Sequence, residues 1–304
     1  MSLENGGTIE EDESQVKIEP KVIDIPAAYT YSASAMSGRG AGKDFAAMSY
    51  RDVFKGYEGV GFSLLNQDAL SVEYNHENEA VAFAVGDGVS GANFFSGVFT
   101  KMVVRSLSKV MATSSGLSDE QIEQKFEQLL RAELEEWGNG KEEVVKRHIL
   151  EVLKTVPRDG YARYLREAVK STSAWSTMAV SGRIDRAKGT IRFATFGDVT
   201  LVILDKDSGN VIFVRGNVEN QMVFDPVSME LSLPQIYFQT LKLPKNYRIM
   251  AFTDGMAKGK MQNKLEGLLK NNKPPKETMD EIKAILDANV LDDDVTAFIA
   301  DGEI

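Results

Sequence analysis

Residues 81–88 read Val81-Ala82-Phe83-Ala84-Val85-Gly86-Asp87-Gly88, an apolar run that ends in Gly-Asp-Gly. Residues 249–255, Ile249-Met250-Ala251-Phe252-Thr253-Asp254-Gly255, share the layout. Asp-Gly commonly joins the two strands of a hairpin. Here a stretch with helical spacing follows each one, not a returning strand. An Asp in that position sets a carboxylate at the rim of a sheet. The Gly after it lets the main chain approach a ligand closely.

Outward from 81–88, segments 71–74 and 80–85 flank a polar turn at Asn75–Glu79 and predict a hairpin. Residues 92–112 carry apolar side chains at helical spacing. Ser118 is placed to cap a second, charged helix that runs to about Trp137 and breaks at Asn139-Gly140. Further helical stretches are expected at 141–155 and 161–170. The period then drops to two, and 175–184, 190–196, 199–204, 211–215 and 247–253 predict strands. Turns fall at Asp185–Gly189, Gly197-Asp198 and Asp205–Asn210. Helices at 258–270 and 276–288 and a last strand at Val295–Ala300 complete the order. Short turns between neighbouring strands imply mostly antiparallel pairing, and the order of elements is α+β. It suits a four-layer αββα sandwich, two sheets face to face with helices outside.

Composition narrows the chemistry. The chain has no cysteine and only two histidines, His76 and His148. Thiol nucleophiles, thiolate–zinc sites and histidine-rich metal centres are therefore excluded. The 35 basic and 45 acidic residues leave a net charge of −10, which argues against a nucleic-acid partner held by phosphate neutralisation. No apolar run reaches the ~18 residues of a membrane span, and the start lacks a basic-then-apolar leader. The expectation is a cytoplasmic protein with no membrane partner. Residues 1–45 are expected to form an acidic, disordered tail and linker, and 46–304 a single domain. In 1–25, Glu4, Glu10, Glu11, Asp12, Glu13, Glu19 and Asp24 face only Lys17 and Lys21. The Ala-, Ser- and Gly-rich stretch 26–48 reads as a linker or an irregular first strand.

Two more acidic groups matter. Asp292-Asp293-Asp294 stands just before the last strand. Three adjacent carboxylates repel one another unless something positive sits among them; alone, they read as a solvated charge run. Asn66-Gln67-Asp68 precedes the first hairpin and alone reads as an ordinary loop. Taken with Asp87-Gly88 and Asp254-Gly255, these groups suit Mg²⁺ or Mn²⁺ in oxygen coordination. Two such ions ~3.5–4 Å apart can share a bridging water and aim it at phosphorus.

In chain order the motifs resemble those of the metal-dependent protein phosphatases of type 2C. They are Asn66-Gln67-Asp68, Asp87-Gly88-Val89-Ser90-Gly91, Ser176-Thr177-Met178-Ala179-Val180, Phe196-Gly197-Asp198, Thr253-Asp254-Gly255 and Asp293-Asp294-Val295-Thr296. The resemblance implies hydrolysis of phosphoserine and phosphothreonine in a phosphorylated protein partner, by a water bridging two Mg²⁺ or Mn²⁺ ions. It implies that Asp87 bridges both ions and that the Gly88 carbonyl holds the first. Asp254 and Asp293 bind the second, and Asp68 orients metal-bound water. Asp198 is then a structural turn residue, and Ser176 and Thr177 are packed strand positions. Spacing does not separate Asp292 and Asp294 from Asp293, which is the residue the resemblance selects.

The chain also departs from the family pattern. Ser63 stands where members often carry a phosphate-clasping Arg, whose bidentate guanidinium a serine cannot replace. Val89 stands where many eukaryotic members have His, and Thr172 where a third-metal Asp is expected. The stretch 216–246 is short, so the flap next to the site reads as reduced, as in divergent, compact bacterial-type members. These departures keep open an alternative, a catalytically weak or inactive pseudophosphatase that acts as a regulatory binding module. Against it, an inactive scaffold has no need to hold four acids together. Gly38-Arg39-Gly40-Ala41-Gly42-Lys43 imitates a nucleotide phosphate loop. Ser37 stands where its first Gly belongs, and Asp44 where its Ser or Thr belongs. Arg39 or Lys43 is left as a substitute phosphate clasp.

Overall fold

The computed structural model describes residues 21–23, 45–50, 67–75, 80–89, 95–139, 147, 174–215, 219–257, 259–288 and 294–304. Apart from Arg147, the helices expected at 141–155 and 161–170 lie outside them, as do Arg39, Lys43, Ser63, Asn66, His76, His148, Thr172, Asp292 and Asp293. Of the expected tail and linker, the described part is Lys21–Ile23 and Phe45.

The first sheet is built on β1 (Lys21–Ile23), β3 (Ala69–Asn75), β4 (Ala80–Gly88), β5 (Trp175–Asp185), β6 (Thr190–Phe196) and β11 (Tyr237–Lys242), side by side in that order. Beside the start of β5 lie β9 (Met222–Asp225) and then β10 (Glu230–Ser232). The second sheet runs β2 (Phe45–Tyr50), β13 (Val295–Glu303), β12 (Asn246–Phe252), β7 (Thr200–Asp205), β8 (Val211–Arg215). Every pairing is antiparallel. The described helices are α1 (Ser96–Ala112), α2 (Asp119–Gly138), α3 (Gly259–Lys270) and α4 (Pro275–Asp287).

Strand alternation sorts the apolar residues into three layers. On β4, Val81, Phe83 and Val85 point between the sheets, towards Leu201 and Ile203 of β7 and Ile249 and Ala251 of β12. The rings of Phe83 and Phe298 stack there with centroids 4.2 Å apart, one from each sheet. Ala82 and Ala84 face the other way, under α1, in the core that α1 shares with α2. These small side chains let α1 come down onto the strand. A Cβ on Gly86 would sit 2.7 Å from both Thr100 Cγ2 and Val104 Cγ1. Val202, Met250, Phe252, Ala297 and Ile299 form the third layer, against α3 and α4. Three apolar layers separate four layers of structure, so the expected αββα sandwich is the fold.

Local signals survive intact in several places. Ser118 caps α2, with Ser118 Oγ accepting from the Gln121 amide and Gln121 Oε1 accepting from the Ser118 amide. Trp137 and Trp175 pack edge to face at 4.9 Å, beside Phe95.

The sheet order is less local. β6 and β7 are joined only by Gly197-Asp198-Val199, yet they belong to different sheets. Gly197 makes the crossing at φ +75°, where a side chain would also collide with Met178. β11 then returns from far along the chain to pair with β6. The stretch 216–246 thus holds three strands, β9 to β11, that the sequence analysis does not predict. β10 and β11 are partly exposed, and the apolar residues they pack against the cores, Leu231, Phe238 and Leu241, do not alternate along the chain, so they carry no period to read.

Half-buried Lys101 on α1 makes stability pH-dependent. Its pKa is lowered to about 8 from an ordinary 10.5, first by burial and then by the charge of Arg105. Between those two values the unfolded chain binds more protons than the folded one, so this contribution to stability rises with pH across the window. Lys101→Met is expected to melt higher than wild type at pH 7, with the gap narrowing by pH 10. Equal gaps in thermal melts at both pH values would contradict this.

Candidate active site

The acid-bearing segments converge on one end of the two sheets. In the β3–β4 hairpin Ala69 pairs with Gly86, so Asp68 and Asp87 take the next position on the two strands. Gly88 pairs with Thr177 of β5. Thr177 Oγ1 donates to the Asp87 carbonyl at 2.9 Å, and the Val89 amide donates to the Ser176 carbonyl at 3.0 Å. Ser176 and Thr177 are both buried, as packed strand positions are. Thr100 Oγ1 on α1 donates to the Ser96 carbonyl and lies 2.9 Å from Thr177 Oγ1. The main chain that carries Asp87 is thereby fixed from β5.

The second sheet contributes the ends of β12 and β13. Thr253 follows β12, and its Oγ1 donates to Asp68 Oδ2 at 2.8 Å, although the two residues are 185 positions apart. The same hydroxyl accepts from the Thr296 amide at 3.0 Å. The Gln67 amide donates to Asp294 Oδ2 at 2.9 Å. Asp254 opens a single helical turn, Asp254–Ala257, and is half-buried. Two glycines make the approach possible. A Cβ on Gly88 would overlap the Gln67 carbonyl, and one on Gly255 would overlap the Asp294 carbonyl.

Of the acids the sequence points to, Asp68, Asp87 and Asp254 thus lie on segments that meet, with Gly88 beside Gln67. Asp293 lies outside the described residues, and its neighbour Asp294 is found buried against Gln67. Sequence reasoning did not single out Thr253 or Asp294 as contacts. Thr253 had a signal, since it begins the Thr-Asp-Gly turn. The choice among three adjacent aspartates had none. Asp198, expected as a turn residue, is buried in the β6–β7 crossing.

The side chains that could hold an ion here, Asp68, Asp87 and Asp254, offer only carboxylate oxygens, and the main chain beside them adds carbonyl oxygens. This chemistry fits a hard divalent cation. Among the described residues no three acids cluster tightly enough to cage an ion unaided. Mg²⁺ is commonly held by one or two carboxylates and keeps several waters, so such a cage is not required. Among the described residues no helix is long and apolar enough to cross a membrane.

Two face-to-face antiparallel sheets flanked by helices, with acid-bearing segments meeting at one end, define an αββα protein. The family model for protein phosphatase 2C matches residues 56–300, and the chain belongs to that family. No curated protein matches the chain. Among solved structures, a point mutant of a bacterial serine phosphatase is 15% identical, with a TM-score of 0.52, and the match covers 86% of this chain and 99% of that one. The serine/threonine phosphatase Stp1 from Staphylococcus aureus is 15% identical, with a TM-score of 0.49 over 88% of this chain and 99% of that one. RsbX in complex with magnesium is 11% identical, with a TM-score of 0.49 over 93% of this chain and 99% of that one.

Proposed function

We propose that the chain hydrolyses phosphoserine and phosphothreonine in proteins with the help of two Mg²⁺ or Mn²⁺ ions. The observation that carries this reading is the junction of the two sheets, where Thr253 at the end of β12 bonds to Asp68 at the start of β3. Strand ends from both sheets meet there, which supports a site shared by the segments that carry Asp68, Asp87 and Asp254. Asp87 and the Gly88 carbonyl, with Asp254 and Asp293, would hold the ions. When bound, the ions supply Lewis-acid stabilisation of the phosphoryl oxygens and a water acidic enough to attack near neutral pH. Asp68 is the residue that orients the attacking water. Its Oδ2 is engaged by Thr253, which restrains rotation of the carboxylate. No side chain acts as nucleophile, so no phosphorylated enzyme forms.

The test is hydrolysis of p-nitrophenyl phosphate and of a phosphothreonine peptide by the full chain. Turnover is expected with Mn²⁺, is expected to vanish in EDTA, and is expected to return when Mn²⁺ is added in excess. If calorimetry shows Mn²⁺ bound and neither substrate turns over, the chain is a regulatory binding module instead.

A further inference from the structure

We propose that Thr253 and Asp294 are positioning residues that fix Gln67-Asp68 from the opposite sheet, an inference that rests on the phosphatase reading. Asp68 stands just before β3. A restraint on its N-terminal side comes from the second sheet. Asp294 Oδ2 accepts from the Gln67 amide at 2.9 Å, and Thr253 Oγ1 donates to Asp68 Oδ2 at 2.8 Å. Gln67, Asp68, Thr253 and Asp294 are all buried, so neither bond competes freely with water. The Thr253 hydroxyl is itself oriented, because it accepts from the Thr296 amide. Its proton is therefore directed at the carboxylate. The Gln67 carbonyl lies where a Cβ of Gly88 would stand, so a shift of Gln67 also disturbs the turn that carries Asp87.

This assigns the two residues a role apart from ion binding. Asp294 works through a single accepting oxygen, which an asparagine also supplies. Thr253 works through a hydroxyl, which a serine also supplies.

The test compares Thr253→Ser with Thr253→Val and Asp294→Asn with Asp294→Ala in the full chain. On p-nitrophenyl phosphate with saturating Mn²⁺, Thr253→Val and Asp294→Ala are each expected to lose about 10- to 100-fold in kcat with KM little changed. Thr253→Ser and Asp294→Asn are expected to stay near wild type. Hydrogen exchange at the Gln67 amide gives a readout independent of turnover. It should accelerate in Asp294→Ala and stay protected in Asp294→Asn. If wild type shows no turnover, the phosphatase reading fails, while exchange at Gln67 still decides whether Asp294 braces the segment. Equal exchange in wild type and both Asp294 variants overturns the brace. In an active wild type, asparagine or serine failing as badly as alanine or valine overturns the positioning role.

Discussion

Asp87→Ala is expected to lower kcat on p-nitrophenyl phosphate by about 10³-fold while leaving the fold in place. The magnitude is that of removing one preorganised electrostatic group from a reaction centre. The fold should persist because the main chain at Asp87 is held by other residues. Thr177 Oγ1 donates to its carbonyl, Gly88 stays paired with Thr177, and the Val89 amide donates to the Ser176 carbonyl. The Asp87 side chain is half-buried at the sheet rim and fills no part of the apolar layers. Asp254→Ala should behave in the same way. The measurement is steady-state kinetics with Mn²⁺ beside thermal melts of each variant. Turnover retained within tenfold at an unchanged melting temperature would remove Asp87 from the reaction.

Arg248→Met is expected to cost about 3–5 kcal/mol of stability, the range for breaking a buried ion pair by removing one partner. Arg248 lies in β12 with its side chain shielded from solvent. Its Nε and Nη2 fork onto Asp301 of β13 at 2.7 and 2.8 Å. Nη1 donates to the carbonyls of Leu268 and Asn271 at 3.2 and 3.0 Å, and Nη2 also reaches the Lys273 carbonyl. One guanidinium thus satisfies carbonyls at the C-terminus of α3, closes the turn into α4 and ties both to the second sheet. Methionine fills the volume but leaves those carbonyls unmatched. Asp301 keeps Lys206 at 3.1 Å, which limits the damage on that side. Arg248→Lys should recover only part of the loss, because an ammonium cannot fork onto a carboxylate and reach the helix end together. A fall in melting temperature of about 10 °C is expected for methionine. A fall below about 2 °C would show that the helix end is satisfied in some other way.

Asp87 and Arg248 differ in how far the amino-acid order reveals them. The place of Asp87 at a strand end was legible there, because an apolar run ending in Gly-Asp-Gly and followed by a helical pattern has few structural readings. Arg248 was not, since within Tyr247–Phe252 it looks like one charged residue at a strand start. Its partners lie 20 to 53 positions away. The same division runs through the fold. The period-two runs, the Ser118 cap and the Asn139 stop are short-range features, and each stands where expected. That β6 and β7 part company at Gly197 could not be read from a turn that would equally suit a hairpin. β10 and β11 could not be read because their few apolar residues obey no period, and β9 is too short to show one.

The amino-acid order by itself determined the α+β class, the faces of most strands and which aspartates stand at strand ends. Those properties depend on side-chain spacing within a few residues. Only the tertiary structure decided which sheet each strand joins, that Thr253 and Asp294 reach across to Asp68 and Gln67, and that Arg248 closes α3. These depend on contacts between segments separated by dozens to hundreds of residues, whose free energy is realised only once both sheets have packed.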